Sequence, residues 1–192
     1  MRAAGDDTRK LIEAAKRQAE ASAENANIAL RSMISGQRAW VGPLDAKVDG
    51  KIEAGNPVKI SVAIRNTGKE PALNLVSEMN RRVVTTEEDR NGLLTEAINH
   101  DVEWCVAKEP RDKAQVIYPS TEVGRGYDLT TEFLGSEIDE AAVKGEKILL
   151  VTGCLTYVTF SETKHSLFCY FYQFGRTQPE HLGICPTGSY AE

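Results

Sequence analysis

The spacing of small and apolar side chains predicts one long helix near the N-terminus, over residues 6 to about 35 and continuous at least from 8 to 34. Alanine is abundant in this segment, and neither Pro nor Gly interrupts it before Gly36. One set of positions recurs with alternating steps of three and four, which is the heptad spacing of a coiled coil. These positions are Ile12, Ala15, Ala19, Ser22, Ala26, Ala29 and Met33.

This helix is predicted to be a stalk or an oligomerisation helix. Its heptad seam consists mostly of Ala, which buries little apolar area compared with Leu or Ile. We therefore expect only weak self-association through the helix, with the isolated chain a monomer at micromolar concentration. The alternative is a helix that packs lengthwise on its own domain.

After Gly36 the periodicity changes to two, which is typical of strands with one face on a core. The clearest strand covers residues 58–65. The pattern predicts that one set of its side chains is buried, namely Val58, Ile60, Val62 and Ile64, and that the other set is exposed, namely Lys59, Ser61 and Arg65.

The rest of the chain also reads mainly as strands separated by turns. Further strands are predicted at 40–44 (broken by Gly42-Pro43), 47–52, 71–84, 115–118, 127–131, 147–160 and 165–174. Turns are predicted at 55–57, at Asn66-Thr67-Gly68-Lys69 and in a hairpin loop at 161–164. Residues 85–108 suggest a short helix or irregular insertion, with Leu93, Leu94, Ala97 and Ile98 on one face, and residues 136–143 suggest a short helix capped by Ser136 and closed by Gly145. The tail from Gly175 onward is predicted to be a loop or covering strap.

Short strands with interleaved turns, and no series of strand, helix and strand, favour an antiparallel β-sandwich over a parallel α/β fold. The fold class is therefore mainly β, with a long N-terminal helix and short helical insertions. We predict two parts, an Ala-rich helix over residues 1–36 and a β-sandwich domain over residues 37–192.

Composition and charge narrow the classes of partner. The chain has 192 residues, of which 41% are hydrophobic and 27% charged, and its net charge is −5. Nucleic acid is a poor partner for such a chain, because phosphate binding needs a basic face. No apolar run approaches the ~18 residues of a membrane span, and the N-terminus lacks the apolar segment of a signal peptide. The chain as it stands is expected to be soluble.

The chain contains four cysteines, and its sequence does not decide whether they are disulfides or free thiols. They are Cys105, Cys154, Cys169 and Cys185. They permit two disulfides with three possible connectivities in an oxidising compartment. The alternative is that they are buried free thiols.

No catalytic, cofactor-binding or metal-binding residue is predicted. The sequence contains no nucleophile elbow, phosphate-binding loop or zinc-protease motif, and His100, His165 and His181 lie far apart in it. His165 beside a hairpin is expected to be exposed. His165 and Cys169 would lie roughly 13 Å apart along one strand, too far to share a metal ion without a bend. His181 and Cys185 have the same spacing in the sequence and belong to no paired-Cys motif.

Three other segments receive structural interpretations. Asn99 to Cys105 is predicted to be a loop anchored by Trp104 and Cys105. Gly124-Arg125-Gly126 is predicted to be a turn, because no helix follows it to complete a phosphate site. Trp40 is predicted to be a core residue beneath the sheet, with a membrane-interface anchor as the alternative.

Several segments resemble a group of uncharacterised bacterial membrane-anchored proteins. They are the Ala-rich stretch from Glu13 to Ala23, the junction Gln37-Arg38-Ala39-Trp40-Val41, the turn from Ile64 to Ala72, and the hairpin running from Val151-Thr152-Gly153-Cys154-Leu155-Thr156-Tyr157 to Lys164-His165-Ser166-Leu167-Phe168-Cys169. The resemblance covers most of residues 10–175 and implies an immunoglobulin-like sheet and a membrane anchor that is absent from this chain.

If such an anchor preceded the helix, Arg9, Lys10, Lys16 and Arg17 would lie near the bilayer and would favour the cytoplasmic side, where thiols stay reduced. The function expected on these grounds is a non-enzymatic interaction or sensing module displayed on a helical stalk, with a protein partner. The alternatives are a structural spacer in a membrane or envelope assembly and a metal-dependent hydrolase with scattered ligands.

Overall fold

The fold was analysed in a computed structural model. The structure describes residues 3–90, 92–110, 115–120, 126–177 and 180–191. Gly124 and Arg125 of the turn considered above lie outside these ranges, as do the side chains of Leu93, Leu94 and Ala97. The chain divides into two compact units, Met1–Arg38 and Ala39–Glu192.

The first unit consists of one uninterrupted helix, α1 (Ala3–Gln37), as the heptad spacing predicts. It continues past Gly36, where the sequence suggested that it would end, because the Arg38 N–H still donates to the Ile34 carbonyl at 2.9 Å. All side chains from Lys10 to Met33 are exposed, including the largest apolar ones, which are Leu11, Ile12, Ile28, Leu30 and Met33. No helix within the described ranges combines the length and the apolar character of a membrane span.

The second unit is rich in antiparallel strands. In chain order its elements are β1 (Val41–Asp49), β2 (Val58–Asn66), β3 (Ala72–Thr85), α2 (Thr86–Arg90), α3 (Leu93–Val106), β4 (Gln115–Ile117), β5 (Tyr127–Phe133), α4 (Glu140–Val143), β6 (Lys147–Thr159), β7 (Glu162–Tyr172), β8 (Gly183–Ile184) and β9 (Tyr190–Ala191). The protein is thus mainly β, with antiparallel sheets, short helices and an N-terminal helix.

The strands form two sheets. The smaller sheet has the order β1-β2-β5, and the larger has the order β4-β3-β6-β7-β8, with β9 also on β7. The inward-facing residues of both sheets belong to one hydrophobic cluster, which includes Ile60, Phe133, Leu155, Tyr157 and Phe168. This arrangement, with one core between two antiparallel sheets, is consistent with a β-sandwich.

Strand β2 follows its predicted alternation on the core side. Val58, Ile60, Val62 and Ile64 are buried and Lys59 is exposed. The prediction that Ser61 and Arg65 are exposed was wrong, because both are partly buried. Ser61 donates to Asp49 on the neighbouring strand at 2.5 Å, and Arg65 lies so close to Gly126 that a side chain there would collide with its guanidinium.

Three predicted element boundaries need correction. The proposed break at Gly42-Pro43 is a register irregularity between Pro43 and Asp45 inside β1, which an edge strand tolerates. The hairpin loop predicted at 161–164 contains only Phe160 and Ser161, because Thr159 already pairs with Glu162. Residues 136–143 are not one helix. Ser136 lies in a single 3-10 turn, and the cap of α4 is Asp139, whose carboxylate accepts the Ala142 N–H at 3.0 Å.

Residues 85–108, predicted as a short helix or irregular insertion, are two helices, α2 and α3. Ile98, Asp101 and Cys105 recur at helical spacing on one side of α3, and all three are buried. Their partners in β6 and β7 alternate along each strand with residues of the shared core, so they lie on the opposite face of the sheet. These partners are Leu150, Cys154, Leu167 and Cys169. Helix α3 therefore covers the outer face of the larger sheet.

Candidate interaction surface

Both disulfides lie on the outer face of the larger sheet. Cys105 of α3 bonds Cys154 of β6, and Cys169 of β7 bonds Cys185 of the tail, each with Cα atoms 5.4 Å apart. The sequence left the thiol state open, and the expectation of reduced thiols on the cytoplasmic side of a membrane is contradicted by this pairing. The bonds attach α3 to β6 and the tail to the neighbouring strand β7.

A buried carboxylate adds a second attachment for α3. Asp101 accepts from the Arg82 guanidinium at 2.8 Å and from the Thr152 hydroxyl at 2.7 Å. The segment 99–105 was predicted to be a loop, but it is helical because Ile98, Asp101 and Cys105 fit the sheet only at helical spacing. The carboxylate is thus held by structural contacts under the helix.

The histidines and cysteines weighed as metal ligands are distributed among other contacts. His165 is buried rather than exposed as predicted, because its Nε2 lies 2.9 Å from the Lys108 carbonyl and anchors the chain after α3. His181 forms a bridge with Lys47 of β1, and Cys169 and Cys185 bond each other. His100 is exposed on α3, and its Nδ1 lies 3.9 Å from Asp101. Among the described residues no group of three or more His, Cys, Asp or Glu side chains surrounds a common point.

The segment between the helix and β1 is held by buried polar groups. Asn66 accepts from the Trp40 and Gly68 N–H groups at 3.1 and 3.0 Å and donates to the Glu70 and Ile117 carbonyls at 2.7 and 3.1 Å. The prediction that Trp40 is a core residue was wrong. Strand alternation instead places its neighbours in the core, with Ala39 and Val41 buried and Trp40 only partly buried.

One side of the second unit has two open sheet edges. Among the residues that the structure describes, β3 pairs with β4 only at Ala72 and Leu75, and β5 pairs only with β2. Within the described ranges no strand adds to the rest of either edge. The apolar side chains along this side, Met79 and Val83 of β3 and Leu129 of β5, are only partly buried against the core. We call this region the open side.

Contacts of Arg81 link β3 to β5 and to the turn that follows β5 on the open side. Arg81 of β3 forms an ion pair with Glu137 and stacks over the Phe133 ring, with its guanidinium carbon 5.5 Å from the ring centroid. The Leu134 N–H, which donates to Glu137 at 2.7 Å, and then Arg81 hold the pKa of Glu137 below its usual value. Burial raises the pKa of Tyr127, with the nearby Ser77 hydroxyl acting in the opposite direction.

The solvent face of the smaller sheet is charged in rows that run across its strands. Register places Asp49 of β1 beside Lys59 of β2, and Lys59 beside Glu132 of β5. Asp128, Thr130 and Glu132 are the outward residues of β5, and all three are exposed. Within the described chain, Asp128 and Glu132 take part in no ion pair. The edge strand β5 therefore presents two acidic side chains, Asp128 and Glu132, to any strand that pairs with its free edge.

The sequence indicated the individual strands of the open side, but it did not indicate that their edges lie together. Tyr127 to Thr131 was recognised as a strand and Pro71 to Val84 as another, yet nothing in their patterns places them side by side. The partial burial of Leu129 and Met79 also depends on which neighbours are missing. Open edges are a property of strand order, which single-strand periodicity does not contain.

In comparisons with known proteins, no family model, no curated protein and no solved structure matches the chain.

Proposed function

We propose that the second unit is an interaction or sensing module that binds a protein partner without catalysing a reaction. The observation that carries the proposal is the open side, where the edges of two sheets and three partly buried apolar side chains lie together. Edges and apolar patches of this kind are sites where proteins associate.

We also propose that the unit is an immunoglobulin-like sandwich. The strand order supports this, because the first, second and fifth strands form one sheet, and the fourth, third, sixth and seventh strands lie in that order in the other. Such crossing between sheets is typical of Greek-key sandwiches. Function does not follow from this architecture, so the open side remains the argument for binding.

The polar residues outside the open side support a non-enzymatic role. Asp101, His165 and all four cysteines are engaged in contacts that hold α3 and the tail on the sheet. A catalytic group must instead reach a substrate.

We propose that α1 carries this module as a stalk, in a protein that is associated with a membrane through a segment outside this chain. The exposure of its heptad positions between Lys10 and Met33 supports a helix available for weak self-association.

The two disulfides favour an oxidising compartment over the cytoplasmic side, because disulfides rarely persist in a reducing cytosol. A gel-shift assay with a thiol-reactive polymer, on protein taken from its own cells without reductant, should therefore find no reactive thiol.

The binding role is tested by site-specific photocrosslinking in the cells that produce the protein. A photoreactive residue in place of Thr130, at the open edge of β5, should capture a protein partner. The matched control replaces Glu103, which is also exposed but lies on α3 over the opposite sheet. No adduct at Thr130, or the same adducts at both positions, would contradict the proposal.

A further inference from the structure

We propose that the free edge of β5 binds an extended strand of a partner protein in which basic side chains alternate with apolar ones. This inference rests on the proposed interaction role and gives the chemistry of the partner. Its basis is the combination of an unpaired edge, an acidic outer face and an incompletely covered inner face on the same seven residues, Tyr127–Phe133.

The edge itself is a template for strand addition. Strand β5 pairs with β2 along its whole length, from Tyr127 opposite Ile64 to Phe133 opposite Val58. Its other side has no strand partner in the described part of the chain, so its outward N–H and C=O groups are free to form a new ladder. In constant-type immunoglobulin sheets a further strand occupies the corresponding position, so sandwiches of this shape can accommodate one there.

The outer face selects the charge of the added strand. The side-chain charges of Asp49, Lys59 and Glu132, which lie in one row across the three strands, alternate in sign. No described residue of another strand lies beside Glu132 at the next position of this row. Asp128 lies four residues before Glu132 on the same face, with Thr130 between them. A strand with basic residues opposite Asp128 and Glu132 continues the alternation, and opposite charges in directly facing cross-strand positions stabilise a sheet.

The inner face selects apolar residues at the alternate positions. Val62 pairs with Leu129 and Ile60 with Thr131, so the inward residues of β5 continue the core outward. Leu129 is only partly buried, and so are Met79 and Val83 on the facing strand β3. Apolar side chains of an added strand would cover these three residues and remove their exposed area from water.

The same acids argue against a second copy of this chain as the occupant. Antiparallel pairing of two β5 strands about Thr130 would place Asp128 directly opposite Glu132 of the partner copy. Like charges in facing positions are destabilising, and charged residues are a common means of preventing edges from pairing with themselves. In this register the acids therefore disfavour a second copy and favour a basic strand.

The test uses the whole chain and a capped nonapeptide, Thr-Val-Lys-Val-Thr-Val-Lys-Val-Thr, kept below its aggregation threshold. Its sequence reads the same in both directions, so it presents two lysines at the spacing of Asp128 and Glu132 in either strand orientation. We expect saturable binding in an NMR titration, with the largest amide shifts in residues 127–133. A peptide with Glu in place of both lysines should bind at least about tenfold more weakly.

Variants of the protein distinguish strand pairing at the β5 edge from nonspecific electrostatic attraction between peptide and protein. The double variant Asp128→Lys, Glu132→Lys should lose about tenfold in affinity for the lysine peptide and gain affinity for the glutamate peptide. The matched control, Asp45→Lys with Asp49→Lys, makes the same change of charge on the same face of β1 and should bind like the parent protein. Amide shifts outside β5 report whether each variant remains folded.

The inference is overturned if the lysine peptide does not bind, or if the two double variants weaken it equally. It also fails if peptides N-methylated at alternate residues bind as well as the unmodified one in both phases, since in one of the two phases the methyl groups replace the N–H groups that would face β5. If the peptide experiments failed but a partner were still crosslinked at Thr130, only the proposal of strand addition at the β5 edge would be refuted. Failure of the crosslinking experiment would remove the interaction role itself.

Discussion

A single amide, Asn66, organises the start of the second unit by using all of its hydrogen-bonding capacity. Its side chain is fully buried and satisfies backbone groups from the segment before β1, from the turn after β2 and from β4. The sequence identified Asn66 only as a turn residue, because a local pattern cannot reveal that Trp40 and Ile117 approach it. The buried alternation of β2, in contrast, was predictable because it depends on the strand alone.

Substitution of Asn66 should be costly. We expect Asn66→Ala to lower the free energy of unfolding by about 3 kcal/mol or more, since four buried or partly buried backbone groups lose a partner that contributes about 1 kcal/mol each. Asn66→Asp should also destabilise, because two donors become acceptors facing carbonyl oxygens. Urea denaturation measures both, with exposed Asn99→Asp as the control. An Asn66→Ala midpoint equal to the parent's would show that water replaces the amide.

Glu137 should contribute to acid sensitivity. Its folded-state pKa is lowered from 4.5, chiefly by the Leu134 N–H. A lowered pKa stabilises the fold fully above the unfolded value, and this contribution is lost as pH falls through the folded value. Between pH 6 and pH 3, unfolding free energy should therefore fall more in the parent than in Glu137→Gln. The exposed Glu132→Gln serves as control, and equal pH profiles for the parent and Glu137→Gln would refute the assignment.

At the scale of elements, periodicity located strands better than it located their ends. The long helix and the two strands of the β6–β7 hairpin were predicted, whereas the loop between those strands was placed too late and made too long. Phe160 and Ser161 form the whole turn with φ of 47° and 62°, the left-handed values that a two-residue hairpin loop requires. Neither residue type favours such values, so no residue preference marks the turn at this point.

Replacing this turn with a favourable one should stabilise the protein. The double substitution Phe160→Asn, Ser161→Gly supplies the residues preferred at two positive φ values and should raise the free energy of unfolding by about 1 kcal/mol. Ser161→Val should act in the opposite direction, because a β-branched side chain is strained there. Thermal unfolding midpoints measure both. If both variants melted at the parent's temperature, the turn conformation described here would be wrong.

At the scale of the whole molecule, the larger sheet carries different neighbours on its two faces. The inner face meets the smaller sheet, and the outer face carries α3 and the tail, each attached through a disulfide to β6 or β7. Sequence reasoning predicted strands and a covering tail but not this layering. Pairing of sheets and of cysteines joins residues far apart in the chain, and composition and periodicity do not encode such pairs.

The two disulfides should differ in how much they stabilise the fold. They join residues 49 and 16 positions apart. On the chain-entropy model their loops correspond to about 4 and about 3 kcal/mol. We expect Cys105→Ala with Cys154→Ala to lower the free energy of unfolding by about 1 kcal/mol more than Cys169→Ala with Cys185→Ala. Guanidinium titrations compare them, and the reverse order would mean that packing of the tail outweighs loop length.

The connectivity of these bonds also bears on biogenesis. The first cysteine of the chain bonds the second, and the third bonds the fourth. When a chain enters an oxidising compartment N-terminus first, Cys154 is the earliest partner available to Cys105, and Cys185 is the partner remaining for Cys169. Oxidation in order of arrival therefore yields the native bonds directly. On this order of oxidation, the native pairing requires an oxidant but no reshuffling by a disulfide isomerase.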